Sequence, residues 1–210
     1  MYLSKYQIDI YSPVGRQLLS STNWQAIHET VMGKLFGGPA RKQRILFRIT
    51  DQNLYIQSDT PPERLPDGLT HLYTRDREPS FAKLKAGDVV RFNLLAMPVK
   101  SVAQARHIDG QKPRGKRVYL AMPEERINWL YQKGEKCGFT LLSCTENRRT
   151  SYSFNRLERK GGKFRLPFTE FAGKMQVTDV NAFRKAIHEG IGPERAFGCG
   201  LLFILFRVPS

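Results

Sequence analysis

Near its C-terminus the chain reads Gly190-Ile191-Gly192-Pro193-Glu194-Arg195-Ala196-Phe197-Gly198-Cys199-Gly200-Leu201-Leu202. This glycine-rich loop (190–200) separates a predicted helix from a predicted final strand. Glycine adopts positive φ freely, and successive free N–H groups in such a loop can bind phosphate. The backbone of Gly190, Gly192, Gly198 and Gly200, with the Arg195 side chain, is therefore a candidate phosphate site. The alternative is a tight helix-to-strand connection with glycine just after the helix end.

The position of this loop argues against a dinucleotide-binding fold. A Rossmann phosphate loop follows the first strand and opens a helix, whereas this loop follows a helix and opens the last strand. The rest of the chain contains no Gly-x-x-x-x-Gly-Lys or Gly-x-Ser-x-Gly motif. Nucleotide cofactors and serine-hydrolase chemistry are accordingly disfavoured.

The first half of the chain predicts the order β-α-β-β-(variable)-β. Alternating apolar residues predict strands, and apolar residues at helical spacing predict the helix. In chain order the predicted segments are a strand over 2–11, a helix over 22–36, a hairpin over 45–50 and 54–57, a polar stretch over 58–80 and a buried strand over 88–98.

The second half repeats the theme. Its predicted segments are a basic loop over 104–117, a helix over 123–133, a strand over 139–145, a hairpin over 152–158 and 163–170, a short strand over 174–178, a helix over 179–189 and a closing strand over 201–208. Both halves fit a ferredoxin-like β-α-β-β-α-β plan, although the first lacks a clear second helix. We expect an α+β fold with two tandem ferredoxin-like domains, 1–98 and 99–210; the alternative is one mixed α+β domain.

The charge balance points to a polyanionic partner. The chain has 210 residues, with 34 Lys and Arg against 19 Asp and Glu, and a net charge of +15. An excess of this size is typical of nucleic-acid binding, the alternative being a protein that is basic without using its charge. No apolar run approaches 18 residues and the N-terminus lacks a signal-peptide pattern, so we expect a cytoplasmic protein with no membrane contact. Its three cysteines and four histidines show no metal-ligand spacing, so we expect neither a metal nor another cofactor.

Two kinds of residue could act on a nucleic acid. His28 falls inside the apolar arc of the first predicted helix, which favours a packed core histidine. If that helix lines a cleft instead, the imidazole could take a ribose 2′-hydroxyl proton or protonate a leaving oxygen. Two clusters of cations are the candidate RNA contacts: Lys100, Lys112, Arg114, Lys116 and Arg117 in the first, and Arg156, Arg159, Lys160, Lys163 and Arg165 around the Lys160-Gly161-Gly162 turn in the second.

These features together resemble the CasE family of CRISPR-associated endoribonucleases. The resemblance includes Met1-Tyr2-Leu3-Ser4-Lys5, the segment around His28, Ala96-Met97-Pro98-Val99-Lys100 and, most densely, Gly190 to Leu202. It implies two tandem ferredoxin-like domains of the RAMP type. It also implies metal-independent cleavage of precursor CRISPR RNA at the base of the repeat stem-loop, leaving 2′,3′-cyclic phosphate and 5′-hydroxyl ends. Under this resemblance His28 is the catalytic histidine, the second basic hairpin contacts the RNA stem, and the partners are the repeat stem-loop and other Cascade subunits.

The sequence departs from this family in two places. Gln25 stands where the family carries a tyrosine, and Met97 stands where it carries an asparagine. A glutamine cannot transfer a proton at neutral pH, so Gln25 could only orient a phosphate oxygen, and Tyr11 is a possible substitute. Two other hypotheses therefore remain: a non-catalytic RNA-binding subunit of the same architecture, and a general basic RNA-binding protein such as a ribosomal component.

Overall fold

The computed structural model describes residues 1–20, 27–38, 43–102, 115–155 and 163–208. Their first sheet is four-stranded and antiparallel, in the order β2-β3-β1-β4. Its strands are β1 (Tyr2–Ile8), β2 (Ile45–Thr50), β3 (Asn53–Ser58) and β4 (Leu69–Asp76). Helix α1 (Pro13–Leu19) and a π-helix (Glu29–Leu35) connect β1 to β2. Apolar residues of this connection, including Leu18, Ile27, Val31 and Leu35, pack with the sheet in one core.

The second sheet has the equivalent order, β10-β5-β9-β8. Its strands are β5 (Val89–Ala96), β8 (Phe139–Asn155), β9 (Lys163–Val177) and β10 (Leu202–Val208), and its helices are α3 (Pro123–Cys137) and α4 (Val180–Glu189). The short helix α2 (Glu78–Phe81) lies between the two sheets in sequence, and β6 (Val99–Val102) pairs with β7 (Lys116–Tyr119) as a separate hairpin. In each sheet the first and third strands are central, as the ferredoxin-like plan requires. The predicted α+β class with two tandem ferredoxin-like units is confirmed.

The strand predicted over 88–98 belongs to the second sheet, contrary to its predicted place at the end of the first domain. β5 pairs with β9 and β10, and alternate residues Val90, Phe92 and Leu94 are buried in the second core. The fourth strand of the first sheet is instead β4, inside the stretch predicted to be irregular. Of its eight residues only Leu69 is buried, so this edge strand carries almost no hydrophobic alternation. This pairing favours a domain boundary between β4 and β5 over one at 98/99.

Three local predictions also differ from the structure. Helix α1 follows β1 directly, because the Ser12 side chain accepts a hydrogen bond from the Gly15 N–H at 2.8 Å and Pro13 occupies the first turn. The two strands predicted over 139–145 and 152–158 form one continuous strand, β8, and those predicted over 163–170 and 174–178 form another, β9. Gly173 does not interrupt β9: a Cβ there would lie 2.0 Å from the Ser143 carbonyl oxygen, so only glycine permits this pairing.

Candidate nucleic-acid interface and active site

A cleft of about 410 Å³ opens between the two units beside the segment that carries His28. The first unit contributes Ile27 and Arg48 to its walls, and the second contributes Arg148, Thr150 and Ser151. His28 follows Ile27 directly; Ile27 is buried and His28 is exposed. The interpretation of His28 as a packed core residue is therefore wrong. An α-helical wheel fails here because the chain changes to a π-helix at Glu29, which alters the angle between successive side chains.

Arg48 of β2 joins the two sheets at this cleft. Its side chain is 5% exposed, and its Nη2 lies 2.9 Å from Glu170 Oε1 on β9. Its Nη1 donates to Asn93 Oδ1 on β5, and Asn93 Nδ2 donates to the same Glu170 oxygen at 2.7 Å. The guanidinium also lies 5.3 Å from the centroid of the Phe203 ring. This cluster was not predicted from the sequence, although an arginine inside the apolar strand Ile45–Thr50 is a signal that could have indicated it.

A second contact between the units lies at the C-terminal end of α4. Arg44 donates from Nε and Nη2 to the Glu189 carbonyl at 3.0 and 2.7 Å, and Arg195 Nη1 donates to the same carbonyl at 2.7 Å. Burial and the neighbouring Arg195 charge lower the pKa of Arg44. Asp59 accepts from His188 Nε2 at 2.6 Å. Cations at a helix C-terminus are electrostatically favourable, so Arg195 has a structural partner at the position where phosphate was predicted.

The glycine-rich loop packs tightly against both units. Gly190 is the residue that ends α4, with φ at 81°, and a Cβ there would lie 3.0 Å from Leu46. A Cβ on Gly192 would lie 3.0 Å from the Trp129 ring. The N–H groups of Gly190 and Gly200 donate to the carbonyls of Ala186 and Leu95 at 2.9 and 2.8 Å. This geometry supports the tight helix-to-strand connection, and phosphate binding by Gly190, Gly192, Gly198 and Gly200 remains a prediction.

The hairpin formed by β6 and β7 carries three of the five cations predicted in the first basic cluster. Lys100, Lys116 and Arg117 are all exposed. Lys116 and Arg117 lie in β7 and not in the loop predicted over 104–117. Lys100 Nζ lies 3.2 Å from Glu125, and Arg117 Nη1 lies 3.5 Å from Glu194 in the glycine-rich loop. Ion pairs this exposed are weak and can exchange for phosphate. Lys112 and Arg114 lie outside the described residues.

The remaining predicted site residues are only partly within the described chain. Lys163 and Arg165 lie in β9, opposite Asn155 and Ser153 of β8. Tyr11 is 81% exposed in the turn between β1 and α1 and does not line the cleft. Gln25, Arg156, Arg159 and Lys160 lie outside the residues that the structure describes.

Reactive cysteines, groups of metal ligands and membrane-spanning helices are not found among the described residues. Burial raises the pKa of Cys144 to about 11 and also raises the pKa of Cys137 and Cys199, which makes each a poor nucleophile at neutral pH. Across the described ranges, no three His, Cys, Asp or Glu side chains are grouped as metal ligands would be. None of the helices described is both long enough and apolar enough to cross a membrane.

Comparison with known proteins gives consistent matches over nearly the whole chain. The model of the family described as "CRISPR associated protein" matches residues 1–205. The CRISPR-associated endoribonuclease Cse3 of Thermus thermophilus is 28% identical in a 183-residue alignment, and the match covers 78% of this chain and 80% of the relative. A structure of CRISPR endoribonuclease Cse3 bound to a 19-nucleotide RNA superimposes with a TM-score of 0.81 at 26% identity, covering 97% of each chain. The Thermus thermophilus Cse3 structure with an RNA representing a pre-cleavage complex gives a TM-score of 0.78 at 25% identity, covering 97% of this chain and 98% of that one.

Proposed function

Because the chain belongs to the CRISPR-associated protein family, we propose that it is an endoribonuclease that cuts precursor CRISPR RNA at the base of the repeat stem-loop. The observation that carries this proposal is that the exposed His28 directly follows Ile27, which lines the cleft between two ferredoxin-like units. A net charge of +15 supports an RNA substrate, and the similar Cse3 is named an endoribonuclease. Other Cascade subunits are the proposed protein partners.

The proposed reaction is an internal transesterification. The ribose 2′-oxygen attacks the adjacent phosphorus, the bond from phosphorus to the 5′-oxygen breaks, and the products are a 2′,3′-cyclic phosphate and a 5′-hydroxyl. One proton leaves the 2′-hydroxyl and one reaches the 5′-oxygen, and the His28 imidazole performs one of these transfers. Arg148, which lines the cleft, is the cation that we propose to stabilise charge on the phosphorane. Proton transfer and fixed cations suffice for this reaction, so we propose cleavage without a metal ion.

RNA binding is proposed for both basic hairpins. The deep major groove of an A-form stem is poorly accessible to side chains, so the contacts read phosphates and stem shape rather than sequence. Lys100, Lys116 and Arg117 project from one hairpin, and β8 and β9 lead into the second. If the protein makes six to eight phosphate contacts, raising the salt concentration from about 50 to 200 mM should weaken binding by roughly three to five orders of magnitude.

A non-catalytic RNA-binding subunit is the second candidate, and Gln25 favours it. This residue replaces the tyrosine of the resembled family and cannot exchange a proton at neutral pH. A subunit of this kind would bind the repeat stem-loop and leave it intact.

Single-turnover cleavage of a repeat hairpin RNA in EDTA separates these candidates. We expect cyclic phosphate and 5′-hydroxyl ends from the wild type, and a rate lower by about 10²–10⁴-fold in His28→Ala, the usual contribution of an acid or base. His71→Ala is the matched control, because His71 is an exposed histidine on β4 in the same unit. A His28→Ala rate within threefold of wild type would contradict the assigned role, and bound but uncut RNA would favour the second candidate.

A further inference from the structure

The basic hairpin β6–β7 depends on anchors outside itself. Within the part of the chain that the structure describes, it forms a two-stranded sheet that pairs with neither four-stranded sheet. An isolated two-stranded hairpin is at best marginally stable in water. Besides the two exposed ion pairs of Lys100 and Arg117, the direction of the hairpin depends on the contacts that hold its root, Tyr119 to Ala121.

One buried arginine holds that root. Arg126 of α3 is fully buried, and its Nη1 donates to the carbonyl oxygens of Leu120 and Ala121 at 3.0 and 2.5 Å. Its Nε and Nη2 bind the two carboxylate oxygens of Glu146 on β8 at 2.5 and 2.8 Å. The planar guanidinium thus binds two elements at once, in the forked geometry that lysine cannot supply.

Tyr119 strengthens the same junction. Its hydroxyl lies 2.7 Å from Thr169 Oγ1 on β9, and its ring centroid lies 5.8 Å from the Arg126 guanidinium carbon and 6.0 Å from that of Arg149. Arg149 is exposed, so this aromatic ring connects the buried clamp to the basic surface of β8.

The other end of the clamp lies where β8 bends. The register of β8 against β9 shifts between Glu146 and Arg148, and bulges of this kind redirect a strand. Beyond that shift β8 continues past Arg148 and Arg149 toward the second basic hairpin. Arg126 therefore bonds the root of the β6–β7 hairpin and the point of β8 where the register shifts, just before Arg148.

We propose that Arg126 is a positioning residue for RNA recognition, which fixes the two basic hairpins relative to each other so that both contact one RNA stem. This inference rests on the proposed RNA-binding function and assigns Arg126 no contact with RNA. It gives a reason for the burial of a full positive charge in α3. The Arg126 guanidinium bonds the root of the hairpin to β8, and the Glu146 carboxylate and two carbonyl oxygens compensate for the loss of its hydration.

The test compares Arg126→Lys with Arg184→Lys, the same substitution in an exposed ion pair with Glu78. Affinity for a repeat stem-loop RNA is measured over a range of salt concentrations. In Arg126→Lys we expect at least tenfold weaker binding and a salt-dependence slope smaller by about 2.7, since about three phosphate contacts lose alignment. Arg184→Lys keeps the wild-type affinity and slope. A folded Arg126→Lys protein with wild-type affinity and slope would overturn the proposal.

Hydrogen exchange in the RNA-free protein provides a readout independent of function. Arg126→Lys is expected to lose at least tenfold protection at the amides of 116–119 while β5 and β9 keep theirs; equal loss throughout the second sheet would indicate a general structural role and overturn the proposal. If Arg126→Lys fails to fold, Glu146→Gln is measured in the same two assays, because it weakens the clamp by removing the carboxylate charge; the same direction of change is expected, and unchanged binding and protection would overturn the proposal. If the wild type does not bind the stem-loop, the proposed function fails, and the exchange result still decides whether Arg126 orients the hairpin.

Discussion

Replacing Arg48 with methionine tests how the two ferredoxin-like units are held together. The substitution removes the cation while leaving Glu170, whose side chain is 23% exposed, and Asn93 in place. Removing one partner of a buried ion pair costs about 3–5 kcal/mol, and because Glu170 retains some solvent contact we expect about 3 kcal/mol. At about 2–4 °C per kcal/mol for a chain of this size, the melting temperature should fall by about 6–12 °C.

A double-mutant cycle shows whether that loss belongs to the ion pair. Glu170→Gln alone should cost about 2–3 kcal/mol because it leaves a buried guanidinium without its carboxylate. The variant with both substitutions should be about as stable as either single variant, which gives a coupling energy of about 2–3 kcal/mol.

Urea unfolding of the four proteins measures these free energies. Arg184→Met, which breaks an exposed pair, is the control and should cost at most about 1 kcal/mol. If the costs of Arg48→Met and Glu170→Gln simply add, the two units are not held together by this pair, and our account of the junction is wrong.

Two further substitutions probe the glycine-rich loop and the α4 end of the junction. Gly192→Ala should destabilise the protein by about 2–4 kcal/mol, because its φ is 92° and the new Cβ would press on Trp129. The RNA affinity of the folded variant should stay at the wild-type level, and a selective loss of affinity would instead support phosphate binding by the loop. Burial acts to raise the pKa of Asp59, but hydrogen bonds from the Arg44 N–H and from His188 outweigh it and lower the pKa. The ionised carboxylate therefore stabilises the fold at neutral pH, and this contribution disappears as the pH falls through the lowered pKa. Thermal melts between about pH 5 and pH 2 should accordingly show a smaller loss of stability in Asp59→Asn than in the wild type, and equal losses would contradict this assignment.

The sequence predicted the two-unit fold because that information is local. Strand alternation and helical spacing identified most elements, and in each unit the connection between neighbouring elements leaves few alternatives to the ferredoxin-like plan. The fold class and the family were both confirmed, and the glycine-rich loop before β10 was the most specific signal. β4 was missed because an exposed edge strand has little hydrophobic pattern to detect.

Only the tertiary structure decided which strands pair and which side chains contact each other between distant parts of the chain. Apolar alternation shows that β5 is buried but not against which sheet, since its partners β9 and β10 lie far along the chain. The contact from Arg48 to Asn93 joins residues 45 positions apart, and the one from Asn93 to Glu170 joins residues 77 apart. The exposure of His28 likewise depends on the three-dimensional packing. So do the hydrogen bonds of Arg126 to two separate elements. An arginine inside an apolar segment can be recognised in the sequence, but the residue that pairs with it is determined only by the folded structure.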